Sequence, residues 1–137
     1  MSGISWNTKV GVNHVGAYQV SGKPFATGSL NASGGPIKVQ FPSVTRWVQI
    51  TNHSSTAELS CSFSENGFST GNYFRVHVVG SSPSHQVGYF PRLEVKVSEM
   101  WFDASDSFDV VAGLTNIEPE SIKTEFGNSW SGSSGVG

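Results

Sequence analysis

Between Thr45 and Val97 the chain repeats one pattern four times: apolar and polar residues alternate over a short run, and turn residues follow. In Arg46-Trp47-Val48-Gln49-Ile50-Thr51, Val48 and Ile50 share one side while Gln49 and Thr51 share the other. Glu58 to Phe63 places Leu59, Cys61 and Phe63 together, and Tyr73 to Val78 places Phe74, Val76 and Val78 together. Leu93 to Ser98 does the same with Leu93, Val95 and Val97. Successive side chains of a strand point to opposite faces, so period-two alternation turns one face to a core and the other to water. Four such runs with no helical stretch between them predict antiparallel sheet.

The flanking sequence extends this pattern. Tyr18 to Phe25 reads as strand, turn, strand around Gly22 and Pro24, and Phe25 to Leu30 as a further strand. Asn31–Pro36 has loop composition, Ile37 to Phe41 alternates, and Pro42-Ser43 ends that run. Turns are expected at 52–56, 65–71, where Asn66-Gly67 tolerates positive φ, and 80–83. Phe108 to Leu114 gives a last strand with Phe108, Val110, Ala112 and Leu114 inward, and Pro119 opens a single helical turn at 118–122. The spacing is that of an all-β chain: a single β-sandwich or jelly roll of about eight antiparallel strands. Residues 17–122 would form that domain, 1–16 an N-terminal arm and 123–137 a Gly/Ser-rich C-terminal arm.

Four residues break the pattern and are candidates for inter-subunit contact. Met100, Trp101 and Phe102 are consecutive and large, and one buried face cannot hold all three, so Trp101 or Phe102 is expected to point into a contact. Trp6 and Trp130 lie in the arms, where each either folds back on its own domain or docks on another subunit. A Gly/Ser tail buries too little to offset its own entropy, so an ordered tail is expected to be held by a neighbouring subunit.

Composition narrows the partners. Charged residues are 13% of the chain and the net charge is −2. Duplex-binding proteins derive much of their affinity from Lys and Arg on phosphates. The eight here are spread singly from Lys9 to Lys123, so no nucleic-acid partner is expected. So low a charge content fits a surface largely covered by neighbours. No window is apolar enough to cross a bilayer, and Met1 to Trp6 lacks the basic and apolar regions of a signal peptide. The expected compartment is the cytoplasm or a particle assembled there. Asn31-Ala32-Ser33 and Asn52-His53-Ser54 are then chance matches to the glycosylation pattern.

Signatures of chemistry are lacking. The single cysteine, Cys61, alternates inward and reads as a buried structural thiol. His14, His53, His77 and His85 stand far apart with no metal-ligand spacing. Asp103, Asp106 and Asp109 are the best metal-like set, but a calcium loop brings more oxygen ligands at closer spacing, so a solvated loop is expected. There is no nucleophile elbow and no phosphate loop opening a helix. No enzyme, cofactor or metal is expected.

Tyr18-Gln19-Val20-Ser21-Gly22-Lys23-Pro24-Phe25-Ala26-Thr27-Gly28, then Phe41-Pro42-Ser43-Val44-Thr45-Arg46, then FDVVAGLTNI from Phe108 to Ile117 carry a resemblance in motif order over most of residues 17–122. There the chain resembles small jelly-roll virion proteins: minor capsid, cement or decoration-type proteins of tailed phages and large DNA viruses of aquatic hosts. The resemblance implies a structural subunit of a virion that contacts other capsid subunits and copies of itself, with terminal arms gripping neighbours. A different class remains open, a carbohydrate- or receptor-binding jelly roll such as a fibre tip or lectin. It would cluster Trp47, Tyr73 and Trp101 beside polar side chains in one groove that holds a glycan.

Overall fold

A computed structural model of the chain describes residues 23–78, 88, 90–125 and 127–137. The arm 1–16 with Trp6, the strand expected from Tyr18, the turn at 80–83, and Tyr89, His14 and His85 lie outside the described residues. Strands β1 (Pro24–Leu30), β2 (Ile37–Gln40), β3 (Thr45–Asn52), β4 (Leu59–Ser62) and β5 (Phe74–Val76) come first. Strands β6 (Glu99–Asp103) and β7 (Phe108–Leu114) follow, then a 3-10 turn (Pro119–Ile122) with proline at its start. A short hairpin, β8 (Lys123–Thr124) and β9 (Gly127–Asn128), precedes the tail, and a helix of one turn, α1 (Gly67–Thr70), sits between β4 and β5.

The protein is an all-β sandwich of antiparallel sheets. One sheet runs β1-β7-β3 and the other β2-β6-β4-β5. The alternation read from the sequence decides which side chains meet between them. Val48 and Ile50 of β3 and Phe108, Val110 and Ala112 of β7 face Leu59 and Cys61 of β4 and Met100 and Phe102 of β6 in one buried cluster. Phe102 and Phe108 meet across the sheets with ring centroids 5.0 Å apart. Burying a side chain of that size contributes roughly 2–3 kcal/mol. Phe74 and Phe90, 4.8 Å apart, close one open edge of the sandwich.

The run 93–98 keeps its predicted parity but not a regular ladder. It lies antiparallel along β3, joined at Val48–Leu93 by reciprocal bonds of 2.8 Å, with Phe90 N donating to Ile50 O and Thr45 N to Val97 O. Two features interrupt it. Pro91 has no N–H to give. The Thr45 hydroxyl enters the ladder, donating to Val95 O at 2.6 Å and accepting from Val97 N at 3.1 Å.

The run Met100-Trp101-Phe102 lies within β6 and keeps the alternation that its bulk was expected to break. Met100 and Phe102 are both fully buried, and Trp101 points to the outer face between them, so ordinary alternation accommodates all three. Phe102 has no exposed surface. It therefore has none to give to another subunit and drops out of the contact set.

The C-terminal segment also differs from the expected arm. After the hairpin, Ser129 N bonds Ile122 O at 2.7 Å, and the Trp130 indole N–H donates to Phe63 O at 2.9 Å. The Ser64 hydroxyl lies 2.7 Å from Val136 O and 3.0 Å from Gly137 O. Trp130 packs against both the main cluster and a second one made by Val44, Ile117 and Ile122. One tryptophan thus anchors a Gly/Ser tail to its own domain, with no neighbour required.

Candidate interaction surface

The outer face of the first sheet is built from the outward residues of β1, β7 and β3. Register places Pro24 beside Gly113 and Trp47, and Ala26 beside Val111 and Gln49. Val111 is 40% exposed, a large share for an apolar side chain in mid-strand. The Trp47 indole edge, at Nε1, lies where a Cβ on Gly113 would be, so glycine is what fits beneath it. The Arg92 guanidinium sits over the same ring at 5.6 Å and pairs with Glu94 at 3.0 Å.

The outer face of the second sheet carries Trp101 in register with Lys38 on β2 and Ser62 on β4. The Trp101 indole N–H donates to Glu99 at 3.0 Å, and the Lys38 ammonium lies 5.9 Å from the ring centroid. Beside it, α1 folds over β4 so closely that a Cβ on Gly67 would run into the Ser62 hydroxyl. That hydroxyl donates to Asn72 O at 3.0 Å.

Trp47 and Trp101 therefore stand on opposite outer faces and cannot line one groove together. Tyr73 is 42% exposed and contacts Phe68, on the α1 side of the molecule. Beside the tail lies a third feature, an open apolar groove of about 270 Å³ lined by Phe63, Val95, Lys96, Val97, Trp130 and Val136.

The titratable groups are dispersed by the same topology. Asp103 on β6 faces outward from the second sheet and Asp109 on β7 outward from the first, so the acidic triplet cannot converge. Asp109 accepts from Ser29 N at 2.9 Å and pairs with His53 at 2.8 Å. Glu58 pairs with His77 at 3.1 Å and lies 3.6 Å from Arg75. Among the described residues neither histidine ring bonds a hydroxyl or thiol, and no three His, Cys, Asp or Glu side chains are placed to hold a metal ion. Cys61 is buried, and desolvation pushes its thiol well above the ordinary range.

One residue of consequence is hidden by its loop-like neighbours. Asn52 is fully buried at the end of β3. Its amide nitrogen lies 3.0 Å from Ala57 O, 3.3 Å from Val76 O and 3.1 Å from His77 O, so its two N–H groups are shared among three carbonyls. Its oxygen accepts from Ser54 N at 3.1 Å and the Ser105 hydroxyl at 2.8 Å. It ties together the segments after β3, β5 and β6. Position 52 reads as the start of a turn, yet it continues the inward parity of Val48 and Ile50, and that signal marks it. Burial also rules out Asn52 as a glycan acceptor in the folded chain.

No protein-family model, curated protein or solved structure matches this chain.

Proposed function

We propose that the chain is a non-enzymatic structural subunit of a virion, a minor capsid, cement or decoration protein built on a jelly roll. The order of pairing carries the reading. Counting the extended segment 90–98 as the sixth of eight, the pairs are first with last, second with seventh, third with sixth and fourth with fifth. Together with the pairings of third with eighth and fourth with seventh, they support the reading of one long hairpin ribbon rolled into two facing sheets, as in a jelly roll. That winding is what the resemblance at residues 18–28, 41–46 and 108–117 implies. A fold alone does not give a function. The reading draws further support from the sparse charge and from outward apolar side chains on both faces, Val111 on one and Trp101 on the other, suited to contact with other capsid subunits and further copies of the chain.

The glycan-binding alternative has less support. It needs Trp47, Tyr73 and Trp101 in one groove, and the first and last are on opposite faces. Trp47 is in addition already engaged, with Gly113 beneath it and Arg92 above.

Add-back tests the proposal. Particles produced without this chain are mixed with the purified protein and sedimented. Saturable binding that raises the particles' thermal stability is expected, and Trp101→Ala should weaken it. A chain that stays in the supernatant at all concentrations would overturn the assignment.

A further inference from the structure

We infer that Asn66 is a site of spontaneous deamidation that the docked C-terminal segment keeps closed. The chemistry needs only water and this chain, so it does not depend on the assembly role above.

Asn66-Gly67 is the one Asn-Gly pair in the sequence. Glycine hinders this reaction least, because it sets no side chain beside the attacking nitrogen. Gly67 N, once it has lost its proton, attacks Cγ of the Asn66 amide. The N–Cγ bond forms, the Cγ–Nδ2 bond breaks and ammonia leaves, which closes a five-membered succinimide. Water then opens either carbonyl of that ring and leaves an aspartyl or isoaspartyl residue at position 66. The electrophile is ready: Asn66 is exposed, and its side chain makes no capping bond to α1.

The nucleophile is locked. The Gly67 N–H is shared between Ser64 O at 3.2 Å and Ser64 Oγ at 3.1 Å. At the other end of the same peptide, Asn66 O accepts from Ser69 N and Thr70 N, both at 3.1 Å. It also accepts from the hydroxyls of Ser69 at 3.0 Å and Thr70 at 2.9 Å. Asn66 is thereby held at a helical ψ of −19°. The attack needs this peptide to rotate, and rotation breaks every one of these bonds.

A single helical turn does not hold itself together, so the lock depends on what packs against it. The C-terminal segment supplies one side of that support. The Ser64 hydroxyl shares its one proton between Val136 O at 2.7 Å and Gly137 O at 3.0 Å, which leaves its lone pairs for the Gly67 N–H. Gly137 lies against the same peptide, where a Cβ on it would stand 3.0 Å from both Gly67 N and Gly67 Cα. Trp130, bonded to Phe63 O at 2.9 Å, anchors the segment. Release of the tail frees the Ser64 hydroxyl to turn and uncovers Gly67 N. An isoaspartyl link adds a methylene to the backbone and spoils the turn that Ser64 and Thr70 grip, so deamidation is a one-way record of release.

Peptide mapping by mass spectrometry tests this on the full chain, incubated at mildly alkaline pH beside a synthetic peptide of residues 60–72. The chain is expected to deamidate at Asn66 at least ~10-fold more slowly than the peptide, because reaction waits for local opening. Trp130→Ala removes the anchor and should restore at least about tenfold of that rate. Trp130→Phe keeps the apolar anchor and should stay near the rate of the unaltered chain. Ser64→Ala removes only the clip and should speed the reaction about three- to tenfold. Maleimide labelling of Cys61, buried in the folded chain, reports whether each variant keeps its fold. An unaltered chain that keeps pace with the peptide would overturn the closed site. A folded Trp130→Ala chain that reacts no faster than the unaltered one would overturn the tail's part in it. Should Trp130→Ala expose Cys61, Ser64→Ala decides in its place, since it leaves the tryptophan seated, and an unchanged rate there would overturn the proposal.

Discussion

Asn52 offers the sharpest perturbation of the sandwich. Its two amide N–H groups are shared among three carbonyls and its oxygen accepts two hydrogen bonds, at a fully buried site. In Asn52→Ala the carbonyl of Val76, the amide of Ser54 and the Ser105 hydroxyl each lose this partner. An unsatisfied buried group costs ~1–3 kcal/mol, although Ser105 can still turn to Ser107 O. The expected total is about 3–5 kcal/mol, a large part of the roughly 5–15 kcal/mol that holds a domain folded. Urea denaturation should show the loss as a lower midpoint with unchanged slope, and heating as a Tm lower by about 10–20 °C. Asn52→Asp separates polarity from shape. It sets a carboxylate oxygen against three carbonyls, so the carboxyl is disfavoured as an anion and its folded pKa rises above the unfolded value near ~3.9. A raised folded pKa means the unfolded chain gives up its proton first, so stability falls as pH rises above that value. Below it both states are protonated, and the deficit relative to Asn52→Ala should shrink. A loss under ~1 kcal/mol in Asn52→Ala, where several kcal/mol are expected, would refute the reasoning. A pH-independent Asn52→Asp would refute the orientation of the amide.

Other expectations concern single contacts. Ala104 has φ +82° and uses only its backbone N–H, toward Ala32 O and Asp103; Ala104→Gly should stabilise by about 0.5–1 kcal/mol in urea titration. Gly113→Ala should push the Trp47 indole off β7 and shift its fluorescence, with a stability loss of about 1–2 kcal/mol, whereas an unchanged emission would mean that the ring does not lie there. Cys61 should resist thiol reagents in the native protein and react only as fast as the chain unfolds, because burial keeps it as the neutral thiol; rapid labelling of folded protein would place it at the surface.

The sequence carried the strands because parity is a local signal. Val48 and Ile50, Leu59 and Cys61, and Phe108 to Leu114 each show their inward side in a few residues, and the sandwich keeps those sides. Met100-Trp101-Phe102 left open whether Trp101 or Phe102 turns outward, and alternation seats Met100 and Phe102 inward and Trp101 outward. The hidden features are those set by distant partners. The irregular pairing at 93–98 depends on a hydroxyl some fifty positions earlier, at Thr45. The docking of Trp130 depends on Phe63, and Asn52 is fixed by segments that follow three different strands. No local window contains both ends of such contacts, so composition alone reads the tail as a free arm. The arrangement of Trp47, Trp101 and the acidic residues on two opposite faces was equally invisible, since it follows from which strand joins which sheet.

The role as a virion subunit is tested most directly by quantitative mass spectrometry of gradient-purified particles from the source that encodes the chain. The chain should co-purify with the major coat protein at a fixed ratio across the particle peak and survive washing. Its confinement to the soluble fraction, with particles free of it, would contradict the assignment.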